Sequence, residues 1–315
     1  MKHKSIGLSP REMSILRCIR ERGLSRKDVA ETLGMPQPEL TRLVKSLESK
    51  GLIVVQKIGM STSIAFSEMK HASLLRRILN EYSHMRLEEI LTLASLRVVT
   101  SLAMSPASTR GDVVSSSGVS PRTLQTVLGR LRELGIVRVR ARGVYELSDR
   151  FALFADFAHE LSEYSNEREA REFSPDSVVV WERGSEFIVR TKSRKKNEDF
   201  KMTAFSAFEN YGVPLIQEWR YYYHSHGSWR GTPDEVFLQS LLMKPRSSRE
   251  MTAMKMLWER KGLWRNLDSI RAKARAYRLE DELERIVAYL QDQRKDKEPI
   301  LSVSRGLEVD HRSDG

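Results

Sequence analysis

The first half of the chain carries one stretch twice. Residues 25–54 (SRKDVAETLGMPQPELTRLVKSLESKGLIV) align without a gap onto residues 109–138 (TRGDVVSSSGVSPRTLQTVLGRLRELGIVR), 84 residues later. Arg26, Asp28, Val29, Gly34, Leu40, Leu47 and Gly51 recur as Arg110, Asp112, Val113, Gly118, Leu124, Leu131 and Gly135. Such a repeat constrains the fold strongly, because both copies must satisfy one pattern of burial. Each copy reads as a short helix, a tight turn at its first glycine, a longer helix that stops at its second, and an alternating β-ribbon.

That order is the one a winged helix-turn-helix uses to place its longer helix in the DNA major groove. The charge distribution agrees. Residues 1–150 carry 25 Lys and Arg against 14 Asp and Glu, whereas residues 151–315 carry 28 of each. The whole net charge of +11 therefore lies on the two repeats. A basic excess confined to such units is the electrostatic footprint of a partner rich in phosphate. Residues 71–150 hold twelve Arg and no Lys, which favours planar bidentate contacts over point charges.

The rest of the composition narrows the class. No run approaches the roughly 20 apolar residues of a membrane span, and MKHKSIGLSP lacks the apolar stretch of a secretory signal. The single cysteine, Cys18, sits on a helical stripe with Ile15 and Ile19 and reads as a core residue. A cytoplasmic location is expected.

In the first repeat, Ser9-Pro10-Arg11-Glu12 carries the cap, proline and acid of a helix start. Met13, Ile15, Leu16 and Ile19 form its inner stripe. Ser25 with Asp28 opens the second helix, whose Val29, Ala30 and Leu33 face inward, and Gly34 closes it. Pro36 and Pro38 mark the third helix. There Leu40, Leu43, Val44 and Leu47 take one face and Gln37, Thr41, Arg42 and Lys45 the other. IVVQKIGMSTSIAFS then reads as two strands around a turn near Gly59, with Lys57 on this wing. The outward residues are expected on DNA; the competing reading is a solvated face of a protein-docking module. On its helix order, its KGLIVVQKIG passage into the wing and its length, this region resembles the MarR-type winged-helix regulators. The resemblance implies a DNA-binding regulator.

In the second repeat, Leu93, Leu96, Val98, Val99 and Leu102 give the first helix an apolar side, and Thr109 caps the next, with Val113 and Val114 inward. Ser120-Pro121 starts the third helix. Its Leu124, Val127, Leu128 and Leu131 face the core, and Arg122, Gln125, Thr126 and Arg130 face out. Gly129 interrupts that helix at a cost of about 1 kcal/mol relative to alanine. Close approach to DNA and close helix packing explain it equally well. IVRVRARGVYELS reads as a hairpin turning near Gly143, with Arg138, Arg140 and Arg142 on one face, a pattern suited to phosphates or a narrow minor groove. Between the repeats, residues 71–90 read as strongly helical, either a rigid spacer or part of a dimer interface.

The remaining sequence predicts a long helix over 149–173, a hairpin over 178–191 turning at Arg183-Gly184, a helix over 202–211 and a strand in IQEWRYYYH. Thr232-Pro-Asp-Glu235 starts a further helix, followed by helices over 247–261, 267–277 and 280–293. The last ~20 residues lack periodicity and read as a disordered tail. The 178–191 hairpin, TAFSAFENYGVPL, the Thr-Pro-x-Glu helix and the paired terminal helices resemble the C-terminal half of tandem winged-helix regulators common in archaea. More distantly, they resemble nucleotidyltransferase-like domains of the abortive-infection antitoxin type. Activity in that superfamily implies a Gly-Ser turn followed by two carboxylates alternating along a strand, which hold Mg²⁺. Gly184-Ser185 is present, but EFIVRTKSRKKNEDF has no alternating acids, and the adjacent Glu198 and Asp199 would point to opposite faces of a strand. A non-catalytic descendant is expected. His224 and His226 lack an acid or cysteine nearby to complete a metal set, and Trp258 and Trp264 read as core.

The sequence thus predicts a mainly α protein with small β content (α+β). Residues 1–70 and 86–150 form two winged helix-turn-helix domains joined by a helical linker over 71–85. Residues 151–293 form an α+β domain, and 294–315 a tail. The expected function is sequence-specific binding of double-stranded DNA in transcription regulation; the alternative is a nucleotidyltransferase-like antitoxin or enzyme with autoregulatory DNA binding. The predicted DNA-binding residues are Gln37, Thr41, Arg42, Lys45, Lys57, Arg122, Gln125, Thr126, Arg130, Arg138, Arg140 and Arg142. No catalytic, metal or cofactor residue is expected; a homodimer and a small-molecule effector stay open as partners.

Overall fold

The structure, a computed structural model, describes residues 7–58, 61–104, 107–195, 197–225, 229, 231–245 and 247–295. These residues are mainly helical with three small sheets, an α+β chain. They fall into two compact units. The first runs to Ile188 and takes in His224; the second holds Val189–Tyr223 and the chain from Trp229.

The first unit opens with α1 (Pro10–Cys18), where the Ser9–Glu12 capping box forms. β1 (Leu24–Ser25) leads into α2 (Arg26–Leu33), capped by the Ser25 hydroxyl and ended by Gly34 in the left-handed region. α3 (Gln37–Ser49) then leads to β2 (Ile53–Ile58) and β3 (Ser61–Phe66), in a sheet ordered β1-β3-β2. Lys57 stands opposite Thr62, and the turn near Gly59 lies outside the described residues. Met13, Ile15, Leu16, Ile19, Val29, Leu40, Val44 and Leu47 are buried together. Cys18 packs at their edge, where burial pushes its thiol pKa up.

α4 (Lys70–Glu81) and the short α5 (Leu87–Ile90) follow. The single helix expected over 71–90 is broken between them. Tyr82 leaves the helix to pack against Phe151 and Phe154, with centroids at 5.5 and 5.1 Å, and its hydroxyl donates to the Arg150 carbonyl.

The earlier order of elements then recurs. α6 (Leu93–Ala103) stands where α1 stood, followed by β4 (Ser108–Thr109), α7 (Arg110–Ser117), α8 (Pro121–Glu133), β5 (Val137–Ala141) and β6 (Val144–Leu147). The sheet is ordered β4-β6-β5, the counterpart of β1-β3-β2. α7 and α8 begin and end 84 residues after α2 and α3. Leu96, Val98, Val99 and Leu102 are buried; the Leu93 side chain lies outside the described set.

A 3₁₀ turn, Asp149–Phe151, leads into α9 (Ala152–Phe173), then β7 (Val178–Arg183) and β8 (Glu186–Thr191). α9 packs on α4 and α6, and its Phe154, Phe157, Ala158 and Leu161 enter the core shared by both repeats. The boundary expected at residue 150 therefore lies inside this unit. α4 spends its apolar side there too: Ala72, Leu75, Ile78 and Leu79 are buried.

The second unit begins within β8 and contains β9 (Phe200–Met202) and most of β10 (Arg220–His224); the four-stranded sheet is ordered β7-β8-β10-β9. The helix expected over 202–211 is a 3₁₀ helix, Ala204–Tyr211, because Phe205 and Phe208 three residues apart both enter the core, at a spacing the tighter turn aligns. The expected strand is confined to β10, leaving Ile216 94% exposed. α10 (Pro233–Leu242) starts at the Thr232–Glu235 capping box; α11 (Ser248–Lys261), α12 (Leu267–Tyr277) and α13 (Glu280–Lys295) complete a separate apolar core. The predicted tail beyond residue 295 lies outside the described residues.

Candidate nucleic-acid interface

α3 turns an apolar face inward through Leu40, Leu43, Val44 and Leu47, which leaves Gln37, Arg42 and Lys45 exposed and Thr41 half-exposed. Gln37, Thr41 and Lys45 follow one another at four-residue steps, so they form one line along the helix with Arg42 beside it. Among the described residues neither Arg42 nor Lys45 has an acidic partner. The cation at the helix start is engaged instead: Arg11 Nη1 lies 2.8 Å from Glu39.

The C-terminal end of this helix is fixed. Glu12 on α1 is buried and accepts from Lys50 Nζ at 2.6 Å and Ser46 Oγ at 2.7 Å, while Lys50 also donates to the Gly7 carbonyl. Burial alone would raise the Glu12 pKa, but the Lys50 ammonium and these hydrogen bonds outweigh it and hold the carboxyl below its ordinary range. A helix leaves its last carbonyls without partners inside the helix. Here Arg168 donates to the Ser49 carbonyl, His71 Nε2 to that of Lys50 at 2.9 Å, and Ser67 Oγ to that of Gly51. Burial lowers the His71 pKa, so the ring stays neutral. Arg168 also suits the negative end of the helix dipole. Sequence reading identified Glu12 only as a cap, and found no role for His71, Ser67 or Arg168. Nothing in the spacing of Arg168 says which carbonyl, 119 residues away, it meets.

In the second repeat α8 repeats the arrangement. Leu124, Val127, Leu128 and Leu131 are buried, and Arg122, Gln125, Thr126 and Arg130 are exposed. Arg132 is exposed as well, and among the described residues none of these arginines has an acidic partner. An added Cβ at Gly129 would meet nothing within 4 Å among the described residues, so close packing against them does not explain this glycine.

The β5–β6 hairpin departs from the expected row of three arginines. A register shift lies between Val139 and Ala141, which breaks the strand's alternation, and Arg142 stands in the turn with Gly143. Arg138 is tied to Glu146 at 2.7 Å and Asp149 at 2.8 Å, and Arg140 lies 4.0 Å from Glu146. Two of the three are partly neutralised by these acids; Arg142 is the cation at the tip of the hairpin. In the first wing Lys57 is exposed.

Elsewhere, the Gly184 turn is followed by Glu186, which pairs with Arg183 at 2.6 Å. Glu198 and Asp199 precede β9 in a bend rather than a strand. His224 is buried, with Phe187 at 4.7 Å between centroids and Glu169 at 3.6 Å, while His226 lies outside the described residues. Trp258 packs on Phe237, and Trp264 against the same core. Among the described residues no group of three or more His, Cys, Asp or Glu is placed to hold a metal ion, and no helix is long and apolar enough to cross a membrane.

Residues 6–59 match the model of the MarR family. The match spans α1, α2, α3 and β2, the elements that present Gln37, Thr41, Arg42, Lys45 and Lys57. At the family level it supports a winged-helix, DNA-binding transcription regulator. No curated protein matches the chain.

Proposed function

We propose that the chain is a cytoplasmic, sequence-specific regulator of transcription that binds double-stranded DNA through two winged helix-turn-helix modules, with α3 and α8 as recognition helices. The observation that carries this reading is the coincidence of charge and geometry. The net positive charge lies wholly within residues 1–150, and both outward helix faces bear cations with no acidic partner among the described residues. The two modules divide the work. α3 offers Gln37, Thr41, Arg42 and Lys45, a mixture of groups able to read base edges. α8 and its wing offer arginine, suited to phosphates. The second unit is assigned a sensing or oligomerising role. The rival nucleotidyltransferase-like reading lacks its pair of alternating carboxylates.

Binding-site selection on the full chain and on two variants tests this. Arg42→Ala should relax preference at one base position, worth about 1–3 kcal/mol there. Arg142→Ala should weaken all sequences alike and reduce the dependence of log affinity on log salt by about 0.9, one phosphate contact. Enrichment of no sequence by the unaltered chain, together with Mg²⁺-dependent turnover of labelled nucleoside triphosphates, would favour the rival.

A further inference from the structure

Gly129 occupies the ninth position of a 13-residue helix and has no left-handed backbone to justify it. A side chain there would stand in open space. Neither conformation nor packing among the described residues requires glycine, although alanine would favour the helix. That leaves what meets the helix from outside. Counting about 100° per residue, Arg122 and Gln125 lie within about 40° of Gly129 around the axis, Arg132 about 60° to one side and Arg130 about 100° to the other. All four are exposed, and the three arginines have no acidic partner among the described residues. The bare backbone is thus the centre of a cationic face. The aligned position in the first repeat is Lys45, a long side chain that holds a partner away from its helix.

We propose that Gly129 is a close-approach point, where the sugar-phosphate backbone of duplex DNA rests directly on α8 with Arg122, Arg130 and Arg132 around it. The inference rests on the DNA-binding reading above and adds a specific contact to it. A second protein helix is the poorer occupant, because a close crossing would desolvate three arginines with no carboxylate to receive them.

The test uses the full chain with Gly129→Ala, and Ser115→Ala on the exposed side of α7 as a control. Each is measured for melting temperature, sedimentation and anisotropy with a labelled ~30-base-pair duplex of random sequence. The two readouts should move in opposite directions. Gly129→Ala should melt ~2–4 °C higher, because alanine favours the helix, yet bind the duplex about tenfold more weakly. The control should bind as the unaltered chain does. A variant that melts higher and binds equally well overturns the close approach while leaving DNA binding intact. A lower melting temperature means that the glycine serves the fold, and a shift from dimer to monomer means that it serves helix packing; either overturns the proposal. If the unaltered chain binds no duplex at low salt, this inference falls together with the function it rests on.

Discussion

Glu12 shows how one buried carboxylate can carry both a cap and a joint. It closes the capping box of α1 and receives Lys50 and Ser46 from the far end of α3. Removing one member of a buried pair leaves the other charge uncompensated, which costs about 3–5 kcal/mol. Glu12→Gln should therefore lower unfolding stability by about 3 kcal/mol in a denaturant titration. The pH dependence follows from the same contacts and from His71. Both groups have folded pKa values below their ordinary ones, so each contributes stability that is complete above the ordinary value and lost as the pH falls through the folded one. Acidification should weaken the fold first below the ordinary histidine value of 6.5, as His71 resists protonation, and again below the ordinary carboxylate value of 4.5. Melting curves collected between about pH 8 and 4 should show both losses, and Glu12→Gln should shrink the lower one without abolishing it, since Asp234 and Glu284 also have pKa values below their ordinary ones. A flat profile would contradict the assignment.

At the scale of elements, Gly51 and Gly135 are equivalent in sequence and unequal in structure. Each ends the longer helix of its repeat in the left-handed region, with φ of 66° and 72°. A Cβ on Gly51 would stand 2.6 Å from Cζ of Tyr164 on α9, whereas one on Gly135 would meet nothing within 4 Å. The left-handed conformation alone costs a residue with a side chain about 1–2 kcal/mol. Gly135→Ala should cost about that much, and Gly51→Ala about 3 kcal/mol, since overpacking adds a further 1–3. Chemical denaturation of the two variants measures the difference; equal losses would mean that Tyr164 moves aside freely. The helices, their caps and their stops were legible in sequence because they rest on local chemistry. Ser9–Glu12, Ser25–Asp28, Thr109–Asp112 and Thr232–Glu235 each span four residues and need nothing distant. The break at Tyr82 was not legible, because its cause is a pair of phenylalanines about 70 residues along the chain.

At the scale of the whole molecule, the two repeats do not stand alone. α9 lies outside both in sequence, yet five of its residues join their shared core, and Arg168 and Tyr164 meet the end of α3. A chain cut after residue 150 retains every predicted DNA contact but exposes the faces of α4 and α6 that α9 covers. Losing a single buried phenylalanine costs about 3–5 kcal/mol, and Phe154 and Phe157 go together, against a total stability of about 5–15 kcal/mol. Residues 1–150 should fail to fold cooperatively by circular dichroism. A sharp melt at the temperature of the full chain would show that α9 is dispensable.

By itself the sequence determined the repeat, its helix boundaries, its apolar faces and the sign of the charge on its outer ones. Those features follow from residue spacing along a helix or strand, which one chain segment settles alone. Gln37, Arg42, Lys45, Arg122, Gln125, Thr126 and Arg130 are exposed where the periodicity placed them. Tertiary structure decided which cations are engaged: a carboxylate neutralises Arg138 because strand pairing sets Glu146 opposite it. It also decided that Gly51 is crowded and Gly129 bare, and that Arg142 stands in the turn while Arg138 and Arg140 both approach Glu146. Each of these depends on which distant segment arrives beside a residue, and spacing along a chain carries no record of that.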